Sequence, residues 1–511
     1  MAAAAGVLAA HVFALFVADP DLWGHVLFGQ LLLSDGLPRL DPFAYTSGDH
    51  PWINHEILSE VALGWAYSRF GSAGLQGLRY LLVGSVILLV WRELARGGLG
   101  AGAGALGTAL VVSAMGSGLA TIRPHLFTYL FFLLVLICLA RTDHSETRWS
   151  WPVPLVLALW INFHGGVLAG VGVVGLWWAG EGLSALWDRR PRAVPFATAT
   201  LVLAASVLAL LANPYGWELP VFLLDTATEA RPIITEWQPV TDSPARLALW
   251  TILTVLGLAL VFWRRPRLRI SHVLVLGVLA FLPLLAVRHL PLYALGWAVL
   301  LAPHMPDLAG WIRRRRRARL DAGAFRAAPE AALVALGLSV GIAGGVVAVE
   351  RGSFPCVPLA SEDHDVRPPP QEAVAVLERS QVSANLATPF GWGEYVIWHL
   401  SPRVRVGMDG RRETVYPDSV YEDYKAFRAG AGDWRRWLER YGADLALVMT
   451  ESPPDNLLAL KDGWREVHRD DAAALYGREA WPGTERVAEA GEDAAGRGDG
   501  SDHPGAGCFP G

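Results

Sequence analysis

The sequence predicts a mainly α protein: a polytopic transmembrane helical bundle of about 11 spans that carries a small C-terminal extracytoplasmic α/β domain. Three observations predict it. Of 511 residues, 53% are hydrophobic and only 18% charged, for a mean hydropathy of +0.32. Apolar runs of span length recur from residue 2 to residue 350. From about Arg351 the composition turns to that of a soluble chain.

The net charge of −5 is small, and the arginines sit in short local clusters while Lys425 and Lys461 are the only lysines. Such a balance points to no nucleic-acid partner; it points to membrane topology, where the placing of Arg matters more than the sum. Cys138, Cys356 and Cys508 are too few and too scattered to read as a disulfide framework or a zinc site, and no metal-ligand set stands out. The N-terminus lacks a basic stretch and a cleavage site, so the first apolar run is expected to be retained as a span.

Spans are expected near residues 2–18, 74–94, 99–119, 124–140, 151–163, 166–187, 195–212, 246–263, 270–287, 290–303 and 330–350, within a membrane domain over 1–350. Alternate connections carry the arginines: Arg92 and Arg96; Arg141 and Arg148; Arg189, Arg190 and Arg192; Arg264 to Arg269; Arg313 to Arg319. The positive-inside rule then puts the N-terminus in the cytoplasm and both the first loop and the C-terminal domain outside the cytoplasmic membrane.

The first outer loop, 19–73, opens with Asp19-Pro20-Asp21-Leu22-Trp23, where a span would leave the hydrocarbon. A carboxylate there costs about 2.5–3.5 kcal/mol unless it meets water or a partner, so Asp19 and Asp21 are candidate functional acids as well as candidate helix stops. Its second half, Asn54–Phe70, reads as an amphipathic interfacial helix with Asn54 as N-cap and Glu56 in the first turn.

The polar groups at the other outer connections are Thr121-Ile122-Arg123-Pro124-His125, Asn162-Phe163-His164-Gly165-Gly166, Asn213-Pro214-Tyr215-Gly216-Trp217, Thr235-Glu236-Trp237 and Arg288-His289. Each alone reads as a turn or an interfacial anchor. Five on the face of Asp19 and Asp21, against Arg-only connections opposite, point to a site.

The α/β domain, 351–478, begins after Pro368-Pro369-Pro370 and alternates helices (371–380, 392–400, 418–428, 433–441) with strands (385–388, 404–408, 444–449, 464–468, 473–477). Asp409-Gly410-Arg411 falls just past a strand end, where open sheets often hold ligands. Residues 479–511, rich in Gly, Ala, Glu and Asp, are expected to be disordered.

Outside a cytoplasmic membrane there are no nucleotide sugars, so group transfer there draws on lipid-linked donors. It needs a carboxylate to take the acceptor's proton and cations to hold the departing phosphate. Asp21 or Asp19 can serve as the base, and Asp41 or Glu56 as a second acid. Arg123, His125, His164, Arg288, His289, His55 and Trp237 supply the substrate-binding groups. A divalent cation on carboxylates and His is compatible with the set, though no spacing demands it.

The first-loop motif and the topology resemble those of the GT-C glycosyltransferases, and closer still is a group of bacterial membrane proteins with the same order of motifs. These are Asp19-Pro-Asp-Leu-Trp-Gly-His25, Leu37-Pro-Arg-Leu-Asp41-Pro-Phe43, Trp52-Ile-Asn-His55-Glu56, Arg123-Pro-His125, Asn162-Phe-His164-Gly-Gly, Asn213-Pro-Tyr-Gly-Trp and Asp409-Gly-Arg411. The resemblance implies a hexosyltransferase of the protein-mannosyltransferase kind. Its donor would be a polyprenyl-phosphate (or dolichyl-phosphate) sugar and its acceptor a hydroxyl of a glycan, lipid or protein of the cell envelope, with Asp21 or Asp19 at the family's catalytic acid. Two other classes fit the same residues: a lipid-linked-glycan transporter, which would need buried polar groups such as His11 in its spans, and a non-catalytic envelope assembly protein.

Overall fold

The structure, a computed structural model, describes residues 18–97, 99, 101–142, 146–187, 194–228, 235–264, 268–301, 304, 356–359, 368–497 and 508–510. The expected spans at 2–18 and 330–350, the Arg313–Arg319 run and Arg189, Arg190 and Arg192 lie outside the described residues. The chain divides into two compact units: one within 76–304, the other joining 18–75 to 356–510.

In chain order the helices begin with α1 (Leu22–Ser34) and α2 (Ile57–Arg96). α2 breaks at Gly71, whose φ of 57° and ψ of −147° suit glycine alone, so the interfacial helix expected to end at Phe70 does end there. The rest of α2 opens the helical unit, followed by α3 (Ala101–Met115), α4 (His125–Thr142), α5 (Pro152–Trp160), α6 (Val167–Trp187), α7 (Phe196–Ala209), α8 (Glu218–Thr228), α9 (Pro244–Arg264), α10 (Ile270–Phe281) and α11 (Leu290–Leu301). α11 is apolar on every side and buried along its whole length, the pattern of a central helix, and it packs on α3, α4 and α10.

Each expected span within the described residues is helical, but the count of about 11 is corrected. Four helices are long and apolar enough to cross a membrane: Ile57–Arg96, His125–Thr142, Val167–Leu186 and Pro244–Phe262. The others end early because turns cut them: α5 stops at Trp160 before the Asn162–Gly166 turn, and α7 at Ala209 before Asn213, whose amide donates to the carbonyls of Leu210 and Gly216. Outward faces are apolar, with Leu201, Leu208, Val255, Leu258, Phe262 and Phe281 exposed, as a lipid-bathed surface requires. Two arginine-bearing connections meet: Glu93 Oε1 accepts from both Arg96 (3.1 Å) and Arg141 (3.0 Å).

In the second unit five strands, β1 (Ala384–Ala387), β2 (Val404–Val406), β3 (Leu445–Met449), β4 (Trp464–Arg469) and β5 (Ala473–Arg478), form one sheet in the order β2-β1-β3-β5-β4. β1 is parallel to β2 and β3; β5 is antiparallel to β3 and β4. The helices α12 (Gln371–Ser380), α13 (Gly393–Leu400), α14 (Asp418–Ala429) and α15 (Gly483–Arg497) complete it.

The first loop joins this sheet. Tyr45 N–H donates to Val406 O (3.1 Å) and Val406 N–H to Phe43 O (3.0 Å), so Phe43–Tyr45 extends the β2 edge, while Thr46 Oγ1 donates to Gly407 O (2.7 Å). This edge is thereby covered.

Two expectations change here. Residues 483–497 are helical, not disordered: Val487 and Ala488 on an amphipathic α15 are buried, and the helix packs on α12 and β4. Cys356 and Cys508 form a disulfide with Cα atoms 5.4 Å apart, a pairing of residues 152 positions apart that spacing could not suggest. It carries Phe509 into a cage of Trp23, Tyr67 and Trp398, where Pro510 O accepts from Trp23 Nε1 at 2.7 Å.

α1 and α2 run side by side in the same direction, touching through glycines: a Cβ on Gly64 would stand 2.6 Å from Gln30 N and from Gly29 C. Gly64→Leu is therefore expected to lower the unfolding midpoint of the purified chain by several degrees, the cost of overpacking being about 1–3 kcal/mol or more. Thermal unfolding in detergent checks it, and an unchanged midpoint contradicts the close packing.

Candidate functional site

The second unit gathers the first-loop residues. Asp19 shapes the start of α1: its Oδ1 accepts the Asp21 N–H (3.1 Å) and its carbonyl the Leu22 N–H (2.9 Å). Asp19 is buried, whereas Asp21, the N-cap residue of α1, is half-buried and places no side-chain oxygen on the helix N–H groups. The two acids thus differ in kind: the first builds the turn, the second is presented by it.

Opposite Asp21 stand two groups of the α/β domain. Glu394, in the first turn of α13, is buried and accepts the Gly24 N–H at 3.0 Å through Oε2. Gly410 lies between them: a Cβ there would be 2.5 Å from Asp21 Oδ1 and 2.7 Å from Glu394 Oε1, so both carboxylates crowd one point that only a residue without a side chain leaves open. Burial, with the charges of Asp21 and Asp409 beside it, holds the Glu394 carboxyl far above the usual carboxylate range, and Arg411 offsets only part of this. Glu394 is thus an acid biased towards its protonated form next to Asp21.

Beneath them Asp409-Gly410-Arg411 forms a buried ionic cluster. The Arg411 guanidinium donates to Asp409 (Nε to Oδ1 3.0 Å, Nη2 to Oδ2 2.6 Å) and to Asp41 Oδ1 (2.7 Å), while Tyr416 Oη donates to Asp409 Oδ2 (2.7 Å). Phe28 and Trp52 stack on its plane, 4.4 and 4.7 Å from the ring centroids. Asp41, expected as a second acid, has its oxygens taken by Arg411 and by the Ala44 N–H (2.6 Å), so it holds the loop. Asp409-Gly-Arg411 does follow the end of β2, as its position in the sequence implied.

Glu56 and His55 lie at the start of α2. His55 Nε2 is 3.6 Å from Glu56 Oε1, and Asn54 Oδ1 accepts the Glu56 N–H at 2.8 Å; because α2 starts only at Ile57, Asn54 lies ahead of the N-cap position expected of it and Glu56 ahead of the first turn. His25 of α1 faces Glu56 and Glu60. Glu60, His25 and Glu394 were not singled out from the sequence as site residues, whereas Arg411 was noted only as part of Asp409-Gly410-Arg411. Glu394 sits in Trp392-Gly-Glu-Tyr, and an acid within an otherwise apolar stretch was the available signal.

The remaining expected residues belong to the helical unit. Arg288 lies over the Trp237 ring, its guanidinium carbon 4.3 Å from the centroid, and Val287 N–H donates to Gln238 O (2.8 Å), so these two connections meet. Arg123, Glu236 and Arg288 are near enough to act electrostatically on His125, which bonds Gly118 O at 2.6 Å. Here three separate sequence motifs do converge. His164 is different: its Nδ1 accepts from the Gly166 N–H and pairs with Thr128 Oγ1, both at 2.9 Å, which marks it as a turn-former. His289 is half-buried at the entry to α11.

No protein-family model matches the sequence, and no curated protein does. Solved structures do. The Archaeoglobus fulgidus oligosaccharyltransferase matches in its apo form with a TM-score of 0.54 at 12% identity, over 94% of this chain and 74% of that one. The same enzyme tethered to an acceptor peptide containing the NVT sequon gives 0.53 at 12%, over 93% and 74%. The fold is of the GT-C kind. ArnT from Cupriavidus metallidurans is also similar, with a TM-score of 0.45 at 14% identity over 95% of this chain and 97% of its own. At these identities the likeness is one of fold, and the GT-C fold accounts for a membrane helical bundle that bears a separate sheet.

Glu394 carries a pH signature. In the unfolded chain it ionises above its ordinary value of 4.5, whereas the folded protein keeps the proton, so stability falls as pH rises from there towards the raised folded value. Glu394→Gln keeps an acceptor for Gly24 and removes the titration. The variant is expected to match the wild type in unfolding midpoint near pH 4.5 and to exceed it by several degrees at pH 8; parallel midpoints across that range contradict a neutral Glu394.

Proposed function

We propose that this chain is a membrane glycosyltransferase that moves a sugar from a polyprenyl-phosphate-linked donor to a hydroxyl acceptor at the outer face of the cytoplasmic membrane, with Asp21 as the general base. The observation that carries this reading is the presentation of Asp21. It stands at a helix start in the first loop of a GT-C fold, half-open, beside a buried Glu394 whose carboxyl is pushed towards its protonated form. A carboxylate so placed can take the acceptor proton as the glycosidic carbon is attacked.

Asp19, whose oxygen serves the turn, is in this reading a positioning residue. The departing phosphate becomes a doubly charged oxyanion that needs cations as it leaves; within the helical unit Arg123, His125, Arg288 and Trp237 form a cluster of the chemistry that binds such a group. The Cys356–Cys508 disulfide supports an oxidising, extracytoplasmic side for this unit, in agreement with the arginine bias.

Transfer from a radiolabelled polyprenyl-phosphate sugar to endogenous acceptors, in membranes containing the full chain, tests the assignment. Asp21→Asn is expected to lower transfer at least a hundredfold with the unfolding midpoint unchanged. Asp41→Asn is expected to act through stability, costing about 3 kcal/mol and so lowering the unfolding midpoint, because Arg411 loses a buried partner. Full transfer by a well-folded Asp21→Asn protein would end the reading.

A further inference from the structure

We propose that His25, Glu56 and Glu60 form a binding site for one divalent transition-metal cation of the zinc class, with a coordination position left open. His25 lies in α1 one turn before Gly29, and Glu60 in α2 one turn before Gly64; the glycine contact between the helices brings the two side chains face to face. The Nδ1 of His25 stands 3.5 Å from Glu60 Oε1 and 3.7 Å from Glu56 Oε2, and all three donor atoms lie within 4.8 Å of one another. Bonds of about 2.0–2.1 Å in a tetrahedral shell set neighbouring ligand atoms about 3.4 Å apart, so both nitrogen–oxygen separations fit one such ion.

Two further observations point to a ligand. His25 is 8% exposed, and its Nδ1 makes no hydrogen bond although it is buried and aimed at two carboxylates. Such a group normally finds a partner. The carboxylates, moreover, are held by their outer oxygens: Asn54 Nδ2 donates to Glu60 Oε2 at 2.5 Å, and His55 Nε2 lies 3.6 Å from Glu56 Oε1, which leaves Glu60 Oε1 and Glu56 Oε2 turned towards His25. Outer groups that orient first ligands are the usual support of a metal centre. Asn54 does this twice, since its Oδ1 also fixes the Glu56 backbone. Glu56 and Glu60, four residues apart on one helical face, repel each other, and a shared cation removes that cost.

Imidazole with carboxylates selects zinc, manganese or iron over the all-oxygen shells of magnesium and calcium. Three protein ligands and one open position are the arrangement that lets a metal take a water or a substrate oxygen. A second cluster, Glu372, His468 and Asp470, serves as the control: its Asp470 Oδ1 already accepts the Ala472 and Ala473 N–H groups, each at 2.7 Å.

The test is zinc retention by the purified full chain, stripped with a chelator, reloaded with Zn2+, desalted and counted by mass spectrometry. The wild type is expected to hold one equivalent more than His25→Ala, Glu60→Gln or Glu56→Gln. Asn54→Ala is expected to bind at least tenfold more weakly, and His468→Ala to behave as the wild type. A proton on His25 is the competing occupant: equal zinc in the wild type and in Glu56→Gln, the ligand nearest solvent and the change least disturbing to the fold, overturns the site. Neither sugar nor lipid enters the measurement, so its outcome is separate from that of the proposed transfer.

Discussion

The second unit depends on one buried cation. Arg411 binds Asp409 of its own strand end and Asp41 of a loop 370 positions earlier, and it is roofed by Phe28 and Trp52. A guanidinium enclosed in this way is costly unless it is paired, and here two carboxylates accept from all three of its nitrogens while aromatic rings flank it. The same contact fixes the first loop on the sheet, and with it the start of α1. The place of Asp21 is therefore inherited from a residue remote in sequence.

The glycines do the complementary work. Gly24, Gly410, Gly29 and Gly64 each stand where a side chain would strike a carboxylate or another backbone. By withholding a Cβ they let acids approach one another closely: Asp21 and Glu394 at Gly410, and Glu56 and Glu60 with His25 across the helix pair. Close approach of like charges is answered in two ways, by a proton on Glu394 and, in our proposal, by a metal at His25. Both keep the repulsion near Asp21 within what burial allows.

The helical unit gives a different balance. Its apolar helices leave few polar groups, and these collect where the short helices end: Arg123, His125, Glu236, Trp237 and Arg288 come from three connections and meet. Turn chemistry claims the rest, as at His164 and Asn213. The likeness in fold to an oligosaccharyltransferase holds although no family model matches the sequence.

Periodicity and composition were enough to place nearly every described element. The strands and helices of the α/β domain lie within a few residues of their expected bounds, and the interfacial helix stops at Gly71, because hydrophobic pattern and turn residues act locally. They were also enough to single out Asp19, Asp21, Asp41 and Glu56, since an acid beside an apolar run is conspicuous. What only the tertiary structure decided was which of these acids is presented and which is spent on the fold. Asp41 is bound by Arg411, Glu394 is neutralised by its neighbours, His25 and Glu60 are paired through a glycine contact, and Cys356 reaches Cys508. Each depends on partners tens to hundreds of residues away, and a one-dimensional pattern carries no information about a distance closed by folding.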